Sequence, residues 1–160
     1  MGLDMYLERE HYIGGQWEHK KVSGMIEIKE NNETVLELDP TTVATINVAV
    51  GSWRKSNQVH NFFVQRAQGG KDECQRSYVP NDLLIELRDK CKKILSYRDE
   101  FGADALNTTV LAEKLLPPQA GFFFGGTGID DWYFQDLEQT INILKDVKSN
   151  EGDYYYQASW

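Results

Sequence analysis

The sequence predicts one α+β domain, and three features of its patterning carry that expectation. Both ends alternate. Leu3, Met5 and Leu7 oppose Asp4, Tyr6 and Glu8, while Tyr154, Tyr156, Ala158 and Trp160 share one side of the last run; a period of two marks a half-buried strand. Between them, Leu83, Leu84, Leu87, Cys91, Ile94 and Leu95 recur at helical spacing, the apolar stripe that a helix lays on a core. No internal repeat or low-complexity linker divides the 160 residues, and a chain of that length buries one ordinary core.

GLDMYLERE gives the first strand. HYIGGQWEHKK follows as a glycine-broken polar loop containing Trp17. GMIEIKE and TVLELD are short alternating runs separated by Asn31-Asn32, a hairpin signal. After Asp39-Pro40, a helix-start pair, the pattern forks. Val43, Ile46, Val50, Trp53, Asn57, His60 and Val64 advance by threes and fours, and the favoured reading is one long helix with a weak point at Gly51-Ser52. The alternative takes residues 42–50 as a strand, from the alternation of Ile46, Val48 and Val50, with Ser52 capping a shorter helix.

AQGGKDECQRS is expected as a loop and residues 82–97 as the clearest helix, with Pro80 and Asn81 at its start and lysines late, as the helix dipole prefers. VLAEKLL predicts a short helix ended by Pro117-Pro118. GFFFGG is expected as a short apolar strand, and GGTG as a flexible turn. DDWYFQDLEQTINILKDV predicts a helix burying Tyr133, Leu137, Ile141 and Leu144 and ending near Ser149-Asn150; DYYYQASW predicts the last strand.

A net charge of -8 and a pI near 4.9 argue against direct nucleic-acid binding, which needs clustered Lys and Arg; solubility is the simplest use of such a surface. Cys74 and Cys91 form no C-x-x-C pair, and Cys91 belongs on a helix's apolar face as a buried reduced thiol. No apolar run approaches membrane-spanning length, and Met-Gly before the first strand leaves no room for a leader. Tyr6 stands where a myristoylation signal wants Ser or Thr. The expected location is therefore cytosolic.

Chemistry-bearing groups concentrate in WRKSNQVHNFF. As a helix it sets Trp53, Asn57 and His60 on one stripe. An Asn and a His on a core stripe most often bond loop carbonyls, and that reading comes first. The other is a pocket, in which Trp53, Arg54, Asn57 and His60 face the glycine-flanked phenylalanines, Phe123 among them, with Tyr133 closing one side. An aromatic, a fixed cation and two hydrogen-bonding groups suit a ring carrying an anionic group. His60 is not assigned as a general base, because no carboxylate stands at a spacing that implies contact. The glycine turn at 125–128 lacks the Lys-Ser or Lys-Thr of a phosphate loop, and Asp130-Asp131 would themselves satisfy the helix that follows. It is left as a hinged flap beside a pocket. His11, His19 and His60 give no zinc spacing; neither metal nor cofactor is expected.

The start MGLDMYL, the segment WRKSNQVHNFFV, the following DEC and SYV, the block LLPPQAGFFFGGT with DDWYFQDLEQTINIL, and the end YYYQASW together resemble a family of small uncharacterised proteins of bacteriophage genomes and prophage regions. They cover about half of the chain in order. The resemblance implies a phage accessory protein of the host cytoplasm, and it brings no catalytic residues with it. Because both ends take part, residues 2–8 and 153–159 are expected to share one antiparallel sheet, with helices 53–66 and 82–97 packed on it.

Three kinds of function follow as expectations. The first is binding of a small ligand, in its specific form a sponge for a nucleotide-derived host defence signal. The second is an acidic inhibitor of a host defence or nucleic-acid-binding protein complex. The third, with fewest supporting residues, is an enzyme using His60 as general base. A homo-oligomer is compatible with each.

Overall fold

A computed structural model describes residues 2–20, 22–148 and 152–160. Its strands are β1 (Asp4–Tyr12), β2 (Ile26–Glu30), β3 (Glu33–Leu38), β4 (Thr45–Arg54), β5 (Ser77–Val79) and β6 (Asp153–Ser159), and its helices α1 (Asn57–Ala67), α2 (Asn81–Phe101), α3 (Leu106–Leu115) and α4 (Asp131–Leu144). The chain divides into two compact units, one of residues 1–9 with 49–160 and one of residues 10–48.

In the larger unit a four-stranded antiparallel sheet runs β4-β1-β6-β5, so the first and last strands pair at its centre as expected. Leu3, Met5 and Leu7 are wholly buried on one face, joined by Tyr154, Tyr156 and Ala158 from β6; Trp160 is half-exposed. Onto that face pack Val59, Phe62 and Phe63 of α1, Leu84, Leu87 and Ile94 of α2, and Phe134, Leu137 and Leu144 of α4. The rings of Phe63 and Tyr156 stack at 4.1 Å, joining α1 to the sheet centre. Each such side chain contributes roughly 1.5–3 kcal/mol by leaving water. The fold is thus α+β, with helices on an antiparallel sheet that contains both β1 and β6.

Two expected elements are corrected. The long helix over 43–64 does not form: residues 45–54 are β4, beside β1. The β-branched alternation decides the outcome, because pairing with a buried strand satisfies a backbone that the helical spacing alone leaves without a partner surface. Helix capping also falls later than Ser52. Lys55, at φ 60°, turns the chain, its N–H donating to Leu3 O at 2.8 Å, and Ser56 stands at the N-cap of α1. The second correction concerns GFFFGG, which is a turn rather than a strand. Phe124 N–H reaches back to Gly121 O, and Gly125 takes φ 88°, a left-handed backbone that glycine tolerates. The three rings therefore diverge, with Phe122 in solvent and Phe124 buried.

Elsewhere the expected helices stand with shifted ends. α3 begins at Leu106 and ends before Pro117-Pro118. α4 stops at Leu144, and the expected end at Ser149-Asn150 lies outside the described residues. Ile141 of α4 is half-buried rather than buried. β5, of three residues, was not anticipated; Ser77 pairs with Tyr156 and Val79 with Tyr154. Among the described residues no helix is long and apolar enough to cross a membrane.

In the smaller unit β2 and β3 form the expected hairpin, with Ile26 opposite Leu38 and Ile28 opposite Leu36. Asn31 and Asn32 have φ 50° and 67°, the left-handed pair that a two-residue hairpin turn needs. Asp39-Pro40 opens only a 3-10 turn, in which Asp39 accepts the Thr41 N–H at 2.9 Å.

Cys91 is wholly enclosed by the core, and burial pushes its thiol up to about 12; Cys74 is partly exposed. Iodoacetamide at neutral pH is expected to alkylate Cys74 in the native protein and Cys91 only after denaturation, because the thiolate is the nucleophile. Peptide mass spectrometry reads the order, and comparable native rates at both sites would contradict this packing.

Candidate functional site

α1 carries three polar side chains inward from its first turns, and each has a different fate. His60 is wholly buried. Its Nε2 lies 2.8 Å from Asp72 Oδ2 and its Nδ1 lies 2.7 Å from Tyr156 Oη. A carboxylate only accepts, so Nε2 bears the proton and donates to Asp72; Nδ1 then accepts the Tyr156 hydroxyl proton. This satisfied arrangement belongs to the neutral imidazole, and burial accordingly holds the His60 pKa below its ordinary value, against the opposing pull of Asp72. Trp160 Nε1–H also donates to Asp72 Oδ2, at 2.8 Å. Burial raises the Tyr156 phenol well above its ordinary range.

Asn57 braces the glycine turn. Its Nδ2 donates to Phe124 O at 3.2 Å and Gly126 O at 2.7 Å, and its Oδ1 accepts the Gln119 N–H at 3.0 Å. Both ends of the amide are committed to loop backbone. Trp53, at the end of β4, is buried with its Nε1–H on Thr140 Oγ1 at 2.9 Å. Tyr133 donates its hydroxyl to Leu116 O at 2.9 Å.

Gln58 reaches the other side of α1, where its Nε2 donates to Asp136 Oδ2 at 3.0 Å. That carboxylate looks into a cleft of about 300 Å³ bounded by Arg54, Lys55, Gln58, the turn at 125–128 and Trp132. A second cleft of about 490 Å³ adjoins it, sharing Arg54, Trp132 and Asp136 and reaching Asp4, Tyr6 and Gln139. Together they form a groove across the mouth of α4. Trp132 is 74% exposed, although a large aromatic is normally drawn inward. Asp130 is occupied, capping α4 through the Trp132 and Tyr133 N–H groups at 3.0 and 3.2 Å, as its position in the sequence implied.

Charge in the groove is divided. Burial raises the Asp136 carboxyl above its ordinary value, Gln58 opposes the rise, and the nearby Asp130 adds to it. The wholly buried Ser56 hydroxyl acts on the same carboxylate and, like Gln58, opposes the rise. Arg54, which lines both clefts, is exposed and meets Asp4 at only 3.7 Å, a loose pair of small energetic weight. Among the described residues no group of three or more His, Cys, Asp or Glu side chains is placed to hold a metal.

The pocket expected from sequence is thus divided in space. Arg54, Asn57 and Tyr133 line the smaller cleft, and Trp53 the larger. His60 lies in the core, and Phe123 packs against Phe122 at 4.5 Å; neither lines the groove. Of the first four, Arg54 alone keeps its polar head uncommitted to a close bond. Sequence reasoning missed Gln58, Trp132 and Asp136. The available signal was Trp132 and Asp136 at i and i+4 on the polar side of α4, an aromatic and an acid stacked on one solvent face. No protein family, curated protein or solved structure matches this chain.

Proposed function

We propose that this chain binds a small molecule in the groove beside Trp132. One observation carries the reading: a solvent-facing indole lines one cleft together with a half-buried carboxylate, without an ion-pair partner among the described residues, and two basic side chains, Arg54 and Lys55. The volume is that of ligand sites. An indole face supplies ring stacking, Arg54 a planar fork and Lys55 a point charge for an anionic group, and Asp136 an acceptor for donors on the ring. A ring with an anionic substituent, such as a nucleotide-derived signal, fits all three. Where the phage resemblance holds, the biological role is that of a sponge in the host cytoplasm, removing such a signal by binding it. His60 takes no part in this reading, because both its nitrogens are engaged within the core.

Native mass spectrometry of the protein, purified gently and without added ligand, tests it. A discrete small-molecule adduct, lost in Arg54→Gln/Lys55→Gln at unchanged fold, is the expected result and also gives the number of chains per ligand. An adduct retained undiminished in that variant would remove the groove from the reading.

A further inference from the structure

The groove's ligand chemistry extends further, resting on the small-molecule reading above. We propose that the groove selects a guanine-type ring, one that presents two adjacent N–H donors to Asp136 while lying on Trp132 and directing an anionic group to Arg54 and Lys55. Trp132 and Asp136 are four residues apart on α4, so they stand one above the other on a single helix face. A ring on the indole therefore turns an edge toward the carboxylate. Asp136 is an acceptor with about four lone-pair positions. Gln58 and Ser56 act on it as donors, which leaves about two positions for a ligand, and no cation is among the groups that act on it.

The bases differ in what they offer such a group. Guanine sets its ring N–H beside its exocyclic amine, two parallel donors for two carboxylate oxygens. Adenine and cytosine place a ring-nitrogen acceptor next to the amine, which a carboxylate repels. Uracil has one N–H between two carbonyls. A half-buried carboxylate discriminates sharply among these, because an unmatched acceptor in the site is left without its hydrogen bond. Of the other carboxylates at the groove, Asp130 is taken up by the α4 cap and Asp4 lies toward Arg54 at 3.7 Å, whereas Asp136 shares a helix face with the indole and is placed to read the ring. The elements that carry these groups give the orientation: ring toward Trp132 and Asp136 of α4, anion toward Arg54 and Lys55 at the end of β4.

Titration calorimetry of the full chain with GMP and with AMP tests the proposal. GMP is expected to bind at least roughly fivefold more tightly, the lower end of one bidentate contact's discrimination. Asp136→Asn, which offers one donor and one acceptor and so complements the adenine edge rather than the guanine edge, is expected to erase or reverse that preference. Its fold is checked by near-ultraviolet circular dichroism. Trp132→Ala is expected to weaken both nucleotides. Equal affinities for GMP and AMP, both lost in Arg54→Gln/Lys55→Gln, would overturn guanine selection and leave the small-molecule groove standing. A GMP preference that survives Asp136→Asn would also overturn it. Binding of neither nucleotide would overturn this proposal, and only an adduct-free native mass spectrum as well would bring down the groove reading.

Discussion

Replacing His60 by leucine is expected to lower the free energy of unfolding by about 3–5 kcal/mol, since two partners lose a buried hydrogen bond at once. Tyr156 Oη, wholly enclosed, loses its acceptor, and Asp72 loses the donor at 2.8 Å that brings its carboxylate against the core. Leucine restores apolar volume but neither bond. Such a loss is a large part of the 5–15 kcal/mol that holds a domain folded. The pH dependence has a definite sign. His60 titrates below its ordinary 6.5 in the folded state, so the unfolded chain takes up the proton first. Stability from neutral His60 is fully present above about 6.5 and is lost as pH falls from there toward the folded value. Urea unfolding at pH 7.5 and pH 5.5 reads both effects. The gap between wild type and His60→Leu is expected to narrow at the lower pH. A loss below about 1 kcal/mol at pH 7.5 would show that the Asp72-His60-Tyr156 chain does not hold the core together.

That chain also shows where the sequence is readable and where it is not. The alternation of Leu3, Met5 and Leu7 and of Tyr154, Tyr156 and Ala158 names the sheet's buried face because side-chain direction in a strand follows from local parity alone. The hairpin at Asn31-Asn32 and the cap at Asp130 are legible for the same reason: each is settled within a few residues. β4 is a different case. Its residues fit both a helix and a strand, with the spacing favouring the helix, and the decision comes from β1, some forty residues earlier in the chain. The partners of His60 lie 12 and 96 residues away, distances at which spacing implies nothing. Phe123 and the rest of GFFFGG mislead because three adjacent phenylalanines look like a buried strand, whereas Gly121 and Gly125 let the chain fold back within four residues. The groove is half legible: Arg54 stands out as a fixed cation, but Trp132 and Asp136 lie off the apolar face by which α4 is recognised.

Asn57 separates a brace from a ligand-reading group, and its replacement by alanine is expected to cost roughly 2–4 kcal/mol. The amide holds Phe124 O, Gly126 O and Gln119 N–H together, fastening two stretches of backbone to the start of α1. Were it a ligand contact, some of those positions would stay open to solvent and truncation would leave stability almost unchanged. Asn57→Asp sharpens the distinction. It keeps the oxygen that accepts from Gln119 but sets a second oxygen against two carbonyls, at the 3.2 and 2.7 Å where donors now lie. At pH 7 this variant is expected to be no more stable than Asn57→Ala, because a carboxylate facing carbonyl oxygens is repelled as well as unpaired. Its carboxyl is then raised in the folded state, so the folded chain binds the extra proton and stability returns as pH falls through that raised value. A protonated carboxyl recovers one of the two lost donations. Denaturation of both variants at pH 7 and pH 5 measures the recovery in Asn57→Asp against the alanine variant. A recovery in Asn57→Asp alone identifies the two carbonyls as the partners of Asn57 in solution, and parallel curves would show that the turn at 125–128 is held by something else.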